Sequence, residues 1–173
     1  GQLLDFQKLG SNRLTLKYEN VDIVALVNET IDRFEPTIIL RGKTLEKDIC
    51  EKEQIIASTD KEAVTKILSN LLNNALKYAH HKISIKLSTD NACFMVSVTS
   101  DSDKISKEEK KRIFEPFYQI DKSNNGENGV GIGLPLSLSL AQLLGGILML
   151  EEDDKKENTF VVKIPINKEG IEH

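Results

Sequence analysis

Asn70 and Asn74 stand four residues apart, which puts both amides on one face of a helix, with Lys77 and Tyr78 one turn further along the same side. Asparagine competes with the backbone for hydrogen bonds and is a mediocre helix former, so Asn70, Asn73 and Asn74 together in a helix interior need a reason. A neutral amide oxygen is a hard ligand suited to Mg²⁺, which keeps several waters and takes other ligands from phosphate. A lysine one turn away would neutralise phosphate charge. Spacing alone fits a merely solvated face at least as well.

A second motif is Gly129-Val130-Gly131-Ile132-Gly133-Leu134. Alternating glycines let the backbone approach an anion, and a helix starting there offers free N–H groups and a positive dipole end. The spacing is GxGxG with no strand directly before it, so it is not the dinucleotide fingerprint; it also lacks the Gly-Lys-Ser/Thr ending of a Walker loop. A mobile glycine hinge would read the same way. The third motif, Phe114-Glu115-Pro116-Phe117-Tyr118, precedes a polar stretch over 119–128. It is either a helix end pinned in the core or an aromatic hinge that anchors a lid. His80, His81 and His173 sit in polar settings and read as surface residues.

These motifs need elements to position them. Thr59 and Glu62 have the spacing of a capping box. After them Val64, Ile67, Leu68, Leu71, Leu72, Ala75 and Ala79 recur at helical spacing, so the asparagines lie on an amphipathic helix. Residues 1–9 read as the end of another helix, with Leu3, Leu4, Phe6 and Leu9 on its apolar face and Gly10 as its stop; earlier turns are expected upstream. Leu14–Tyr18 alternates like a strand, and Val21 to about Leu40 reads as a helix disturbed by Pro36. Short strands are expected near 44–50, 55–58, 83–88, 94–100, 147–150 and 159–166, with a short charged helix opened by Ser106 and Glu109. Helices and strands mix without strict alternation. The expected fold is an α+β two-layer sandwich, a mixed and mostly antiparallel sheet covered on one face by about three helices.

Composition narrows the classes of function. With 23 Lys and Arg against 27 Asp and Glu, the net charge of −4 argues against a general nucleic-acid binder. An apolar content of 39% over 173 residues suits one soluble domain with an ordinary core. Two cysteines, Cys50 and Cys93, make no disulfide framework and suggest a reducing compartment. No apolar leader opens the chain. The stretch from Gly129 to Leu150 has no charged residue, but five glycines and Pro135 interrupt it, which disfavours a membrane span.

Taken in order, the Asn-rich helix, the Phe-Glu-Pro-Phe hinge, the polar loop and GxGxG resemble the catalytic ATP-binding domain of sensor histidine kinases. That family lies within the GHKL superfamily shared with gyrase, mismatch-repair and heat-shock chaperone ATPases. The resemblance covers about residues 20–168, and Ile67-Leu68-Ser69-Asn70-Leu71-Leu72-Asn73-Asn74-Ala75-Leu76-Lys77-Tyr78 is its most specific part. It implies the Bergerat-type ATP-binding fold, with ATP and Mg²⁺ as cofactors. It makes Asn74 the Mg²⁺ ligand, Asn70 its partner near the phosphates, Lys77 a phosphate-contacting lysine and Tyr78 an aromatic against the adenine. Gly129, Gly131 and Gly133, followed by Leu134, would wrap the triphosphate, and Phe114 and Phe117 would anchor the lid. An asparagine at 70 suits a kinase better than a hydrolase, because an amide cannot deprotonate water.

One family box departs. Where the pattern is Asp-Asn-Gly-Pro-Gly-Ile, this chain reads Ser100-Asp101-Ser102-Asp103-Lys104-Ile105. The adenine-binding aspartate aligns with Ser100, and both glycines are gone. Ser100, Asp101 and Ile105 are the box residues set against the nucleotide, yet Asp101 should face away from the inward row Phe94, Val96, Val98 and Ser100 unless the strand ends in a bulge. Exchanging a carboxylate for a hydroxyl is expected to weaken ATP binding by about ten- to a hundredfold. Asn158-Thr159 stands where Gly-Thr is usual, and Thr159 is set with the binding residues.

The resemblance further implies transfer of the ATP γ-phosphoryl group to a histidine on a dimerisation domain, with residues 1–13 as the tail of that domain's helix, 14–168 as the catalytic domain and 169–173 as a C-terminal tail. The fragment alone is not expected to autophosphorylate. Implied partners are that dimerisation and phosphotransfer domain, in a homodimeric parent, and a response-regulator receiver domain. The Phe-Glu-Pro-Phe-Tyr-Gln-Ile-Asp wording looks like hybrid sensors, with the receiver in the same chain. The domain is expected in the cytoplasm, without nucleic-acid or membrane contact of its own, its parent anchored in the inner membrane. The competing reading is a pseudokinase, a structural signalling module that binds nucleotide weakly or not at all.

Overall fold

Five strands form one sheet in the order β2-β4-β5-β7-β6 in a computed structural model that describes residues 2–10, 14–50, 54–116, 118, 133–152 and 155–167. The strands are β2 (Thr44–Ile49), β4 (Lys82–Thr89), β5 (Cys93–Ser100), β6 (Ile147–Leu150) and β7 (Asn158–Pro165). Among the described strands only the β2–β4 pair is parallel. A separate antiparallel ribbon joins β1 (Glu19–Asp22) to β3 (Ile56–Thr59).

Side chains of β5 alternate strictly, so Phe94, Val96, Val98 and Ser100 are buried on one face while Cys93, Met95, Ser97 and Thr99 are half-buried on the other. Three helices cover that buried face: α2 (Ile23–Leu40) lies against β2, α3 (Lys61–Tyr78) against β5, and α5 (Gly133–Leu143) against β6 and β7. Ile67, Leu68, Leu71 and Leu72 of α3 and Leu136 of α5 are almost wholly removed from water. The expected sandwich is therefore the observed one. Among the described residues there are also two shorter helices, α1 (Gln2–Gly10) and α4 (Lys107–Lys110). Among the described residues no helix is long and apolar enough to cross a membrane.

Helices α2 and α5 stop by the same device. Gly42 at φ 75° follows α2 and Gly145 at φ 81° follows α5, each in a left-handed conformation that costs a residue with a Cβ strain. Behind them the N–H groups of Lys43 and Gly146 bond back to the carbonyls of Ile38 and Ala141, closing Schellman turns.

The structure corrects several local expectations. Leu14–Tyr18 is not a strand; the first strand starts at Glu19 and ends where the Asp22 carboxylate caps α2, accepting from the N–H of Val24 at 3.1 Å and Ala25 at 3.4 Å. Pro36 does not end α2. It lies on the exposed side of the helix, where the loss of one backbone hydrogen bond costs least. At the start of α3 the cap is Asp60 rather than Thr59: its carboxylate accepts from Ala63 N–H at 2.9 Å and from Lys17 N–H at 2.7 Å. Asp60 wins because one carboxylate can satisfy the helix end and tie down the 14–18 segment together. Thr59 ends β3, its buried hydroxyl without a hydrogen-bond partner among the described residues.

Candidate functional site

Where the C-terminal half of α3 meets the start of α5 and the facing ends of β5 and β7, the surface opens into a cleft of about 130 Å³. Helical spacing brings Asn74 and Tyr78 to one wall, and Leu134 reaches the cleft from the first turn of α5. Ile105, Ile113 and Phe160 supply further apolar surface. Behind Phe160 stands Phe114, edge-on to it with ring centroids 6.3 Å apart and planes at 86°, so the hinge aromatic braces the cleft rather than lining it.

The far end of the cleft is polar. Ser100 ends β5, opposite Asn158 at the start of β7. Asn158 Nδ2 donates to Ser102 Oγ at 2.7 Å and to the Asp103 carbonyl at 2.7 Å, and its Oδ1 accepts from Ile105 N–H at 3.1 Å. Ser102 Oγ in turn lies 2.9 Å from Ser100 Oγ. This lattice holds the segment after β5 without the two glycines that Ser102 and Lys104 replace.

Several residues singled out from sequence stand elsewhere. Asp101 is turned from the cleft, as strand alternation requires: its carboxylate accepts from the N–H of His80 at 2.9 Å and of His81 at 3.0 Å, closing the turn between α3 and β4. Partial burial resists ionisation there, but the N–H groups of His81, Lys82 and His80 outweigh it and hold the carboxyl below its ordinary range. Thr159 lies on the opposite sheet face, its hydroxyl 2.8 Å from that of Thr99. Alternation along β7 gives the cleft Asn158 and Phe160 instead. Lys77 stands beside the cleft, its ammonium 5.3 Å from the Tyr78 ring centre. Phe117, Gly129 and Gly131 fall outside the described residues. Gly133 opens α5, and a Cβ there would meet Asn70 at 3.6 Å, an ordinary contact.

Asn70 is a fastener rather than an open ligand. Its Nδ2 donates to the Gly133 carbonyl at 3.2 Å and to Ser137 Oγ at 2.9 Å, and its Oδ1 accepts from the Gln2 side chain of α1. Both ends of this buried amide are engaged, and they tie α5 and α1 to α3. Asn70→Ala leaves a buried carbonyl and hydroxyl without that partner, so it is expected to lower stability by about 2 kcal/mol and the melting temperature by about 4–8 °C, read by thermal circular dichroism.

Ser102, Asp103, Ile113, Asn158 and Phe160 line the cleft without having been picked out beforehand. The parity of β7 could have indicated Asn158 and Phe160. Nothing in the sequence pairs Ser102 with Asn158, because their positions are brought together only by the β5–β7 register.

The cleft is an open-ended apolar slot with one polar end, walled by two helices over a mixed sheet. The family model described as histidine kinase-, DNA gyrase B- and HSP90-like ATPase matches residues 59–168, and the chain belongs to that family. Within it, the chain is an ATPase catalytic domain of the sensor histidine kinase kind. It is 30% identical over 169 residues to the swarming motility regulation sensor protein RssA of Serratia marcescens, covering 95% of this chain and 35% of RssA. To the sensor histidine kinase WalK of Bacillus subtilis it is 26% identical over 172 residues, 96% of this chain and 28% of WalK. The chain thus spans about a third of these curated relatives. The solved catalytic domain of histidine kinase ThkA superposes with a TM-score of 0.79 at 22% identity, over 90% of this chain and 99% of that one, a likeness of fold.

Proposed function

We propose that this domain binds Mg·ATP in the cleft and delivers the γ-phosphoryl group to a histidine on a dimerisation domain. The observation that carries the reading is the convergence of Asn74 and Tyr78 from α3, Leu134 from α5 and the polar end of β5 on one slot. A structure of full-length ShkA in complex with AMPPNP shares the fold, with a TM-score of 0.82 at 22% identity over 95% of this chain and 34% of that one, and suits the same assignment.

The donor set fits Mg²⁺ brought by its nucleotide. Among the described residues no group of three or more His, Cys, Asp or Glu could hold a metal. Asn74 offers a single amide oxygen, the limited protein share that Mg²⁺ takes beside phosphate and water. When bound, Mg²⁺ supplies charge neutralisation at the phosphates. Asn74 and Lys77 would orient and neutralise the triphosphate, Tyr78 and Leu134 would hold the base, and Asn70 would keep α5 in place. Gly129, Gly131 and Gly133 are the proposed phosphate wrap, and Phe114 and Phe117 the anchors of its cover.

Residues 14–168 are read as the catalytic unit, 1–13 as the tail of the dimerisation helix and 169–173 as a C-terminal tail. The parent is proposed to be a homodimeric, membrane-anchored hybrid sensor that passes phosphate to a receiver domain. No comparison favours the pseudokinase.

Calorimetric titration with ATP, with and without Mg²⁺, tests the binding step. Mg²⁺-dependent binding is expected, about ten- to a hundredfold weaker than a site with a carboxylate at 100 would give. Absence of heat at millimolar ATP, from protein shown to be folded, would sink the reading. Transfer of labelled γ-phosphate to a histidine-bearing dimerisation domain added in trans tests the second step.

A further inference from the structure

At the polar end of the cleft the Ser100 and Ser102 hydroxyls can each donate or accept. Ser100 and Ser102 are both buried, their oxygens 2.9 Å apart, and either hydroxyl can donate to the other. The Asn158 amide behind them is fully engaged, with Nδ2 on Ser102 Oγ and the Asp103 carbonyl and Oδ1 on Ile105 N–H. Among the described lining residues the one carboxylate is Asp103; its side chain is 96% exposed and turned outward, 3.0 Å from His80 Nε2. Asp101 is held on the backbone of His80 and His81.

The hydroxyl pair therefore has two states of nearly equal cost. In one, Ser102 donates to Ser100, and Ser100 has a proton left to give to the cleft. In the other, Ser100 donates to Ser102; Ser100 then accepts from the cleft while Ser102 turns its own proton towards it. Ser102 has lone pairs enough to accept from Asn158 in both. Passing between the states needs only rotation about two C–O bonds.

We infer that this cleft takes 6-oxo purine nucleotides as readily as 6-amino ones, with Ser100 and Ser102 as a two-way reader of the base. The inference rests on the nucleotide-binding reading above and deepens it. With the phosphates towards Asn74 and the start of α5, the edge of the purine opposite its sugar bond leads into the polar end. On adenine that edge donates from the 6-amino group and accepts at N1; on hypoxanthine it accepts at O6 and donates from N1. Both groups invert together, and so do the two hydroxyls. A carboxylate at position 100 would accept only, leaving a 6-oxo base with two acceptors opposed in a buried place, the kind of mismatch sites reject strongly.

The test is calorimetric titration of the 173-residue chain with ATP and with ITP, which differs only in the 6-oxo edge, both with Mg²⁺, beside Ser100→Asp. Wild-type dissociation constants for the two are expected to agree within about tenfold. In Ser100→Asp, ATP should tighten by about tenfold or more and ITP should weaken by at least as much. A wild-type preference for ATP beyond about tenfold, or a variant with an unchanged ratio, overturns the inference while leaving ATP binding intact. Should Ser100→Asp fail to fold, the wild-type ratio decides by itself. If neither nucleotide binds folded wild-type protein, the nucleotide-binding reading falls and takes this one with it.

Discussion

Asn74→Ala is expected to bind Mg·ATP about a hundredfold more weakly than the parent chain and to lose most of its dependence on Mg²⁺. The same variant should melt no lower than wild type, because alanine exceeds asparagine in helix propensity by roughly half a kcal/mol. The opposed signs are the point. Asn74 lines the cleft from the last turns of α3, half-buried, and its amide bonds to no described residue. A polar group so placed adds nothing to folding that alanine would lose, so its contribution must lie in what it binds. Asn70, one turn earlier on the same face, behaves oppositely, since its amide is consumed by Gly133, Ser137 and Gln2. Calorimetry and thermal melts on the two variants separate the roles. A normal Mg²⁺-dependent affinity in Asn74→Ala would remove that residue from the metal site and reopen the assignment of the cleft.

This division between Asn70 and Asn74 marks how far the sequence could be read. Periodicity located α3, β4, β5 and β6 to within a residue or two, because each buries one face against a single neighbouring layer and the apolar spacing records it. The inward row of β5 was legible for the same reason, and with it the placement of Ser100 in the cleft and Asp101 outside. What failed was local chemistry decided by distant partners. Thr59 and Asp60 are both acceptable caps, and only Lys17, far away in sequence, makes Asp60 the better one. Pro36 looked disruptive because the pattern alone does not say which side of α2 faces water. Likewise the Ser100–Ser102–Asn158 network depends on the pairing of Ser100 with Asn158, a register no local pattern encodes. Where the glycines of the departing box are gone, this network holds the same segment instead.

The other large effect is structural and comes from Gly146→Ala. A Cβ built at Gly146 would lie 2.1 Å from the Lys163 carbonyl oxygen and 3.1 Å from Ile164 Cα, both backbone atoms of β7. No rotamer change can relieve this. Either β6 must leave β7, breaking the ladder that pairs Ile147 with Lys163 and Leu150 with Phe160, or the Schellman turn that ends α5 must open. Both cost more than an ordinary overpacked side chain, so destabilisation of at least about 3 kcal/mol and a fall in melting temperature of about 6–12 °C are expected. Gly42→Ala supplies the comparison. Its φ of 75° imposes left-handed strain with no atom within 4 Å of the added Cβ, about 1–2 kcal/mol. Because β6 contributes no cleft residue, the fraction of Gly146→Ala that remains folded should bind ATP as wild type does. A melting temperature within about 2 °C of wild type would mean that β6 can slide along β7, and the edge of the sheet would then be far softer than its pairing implies.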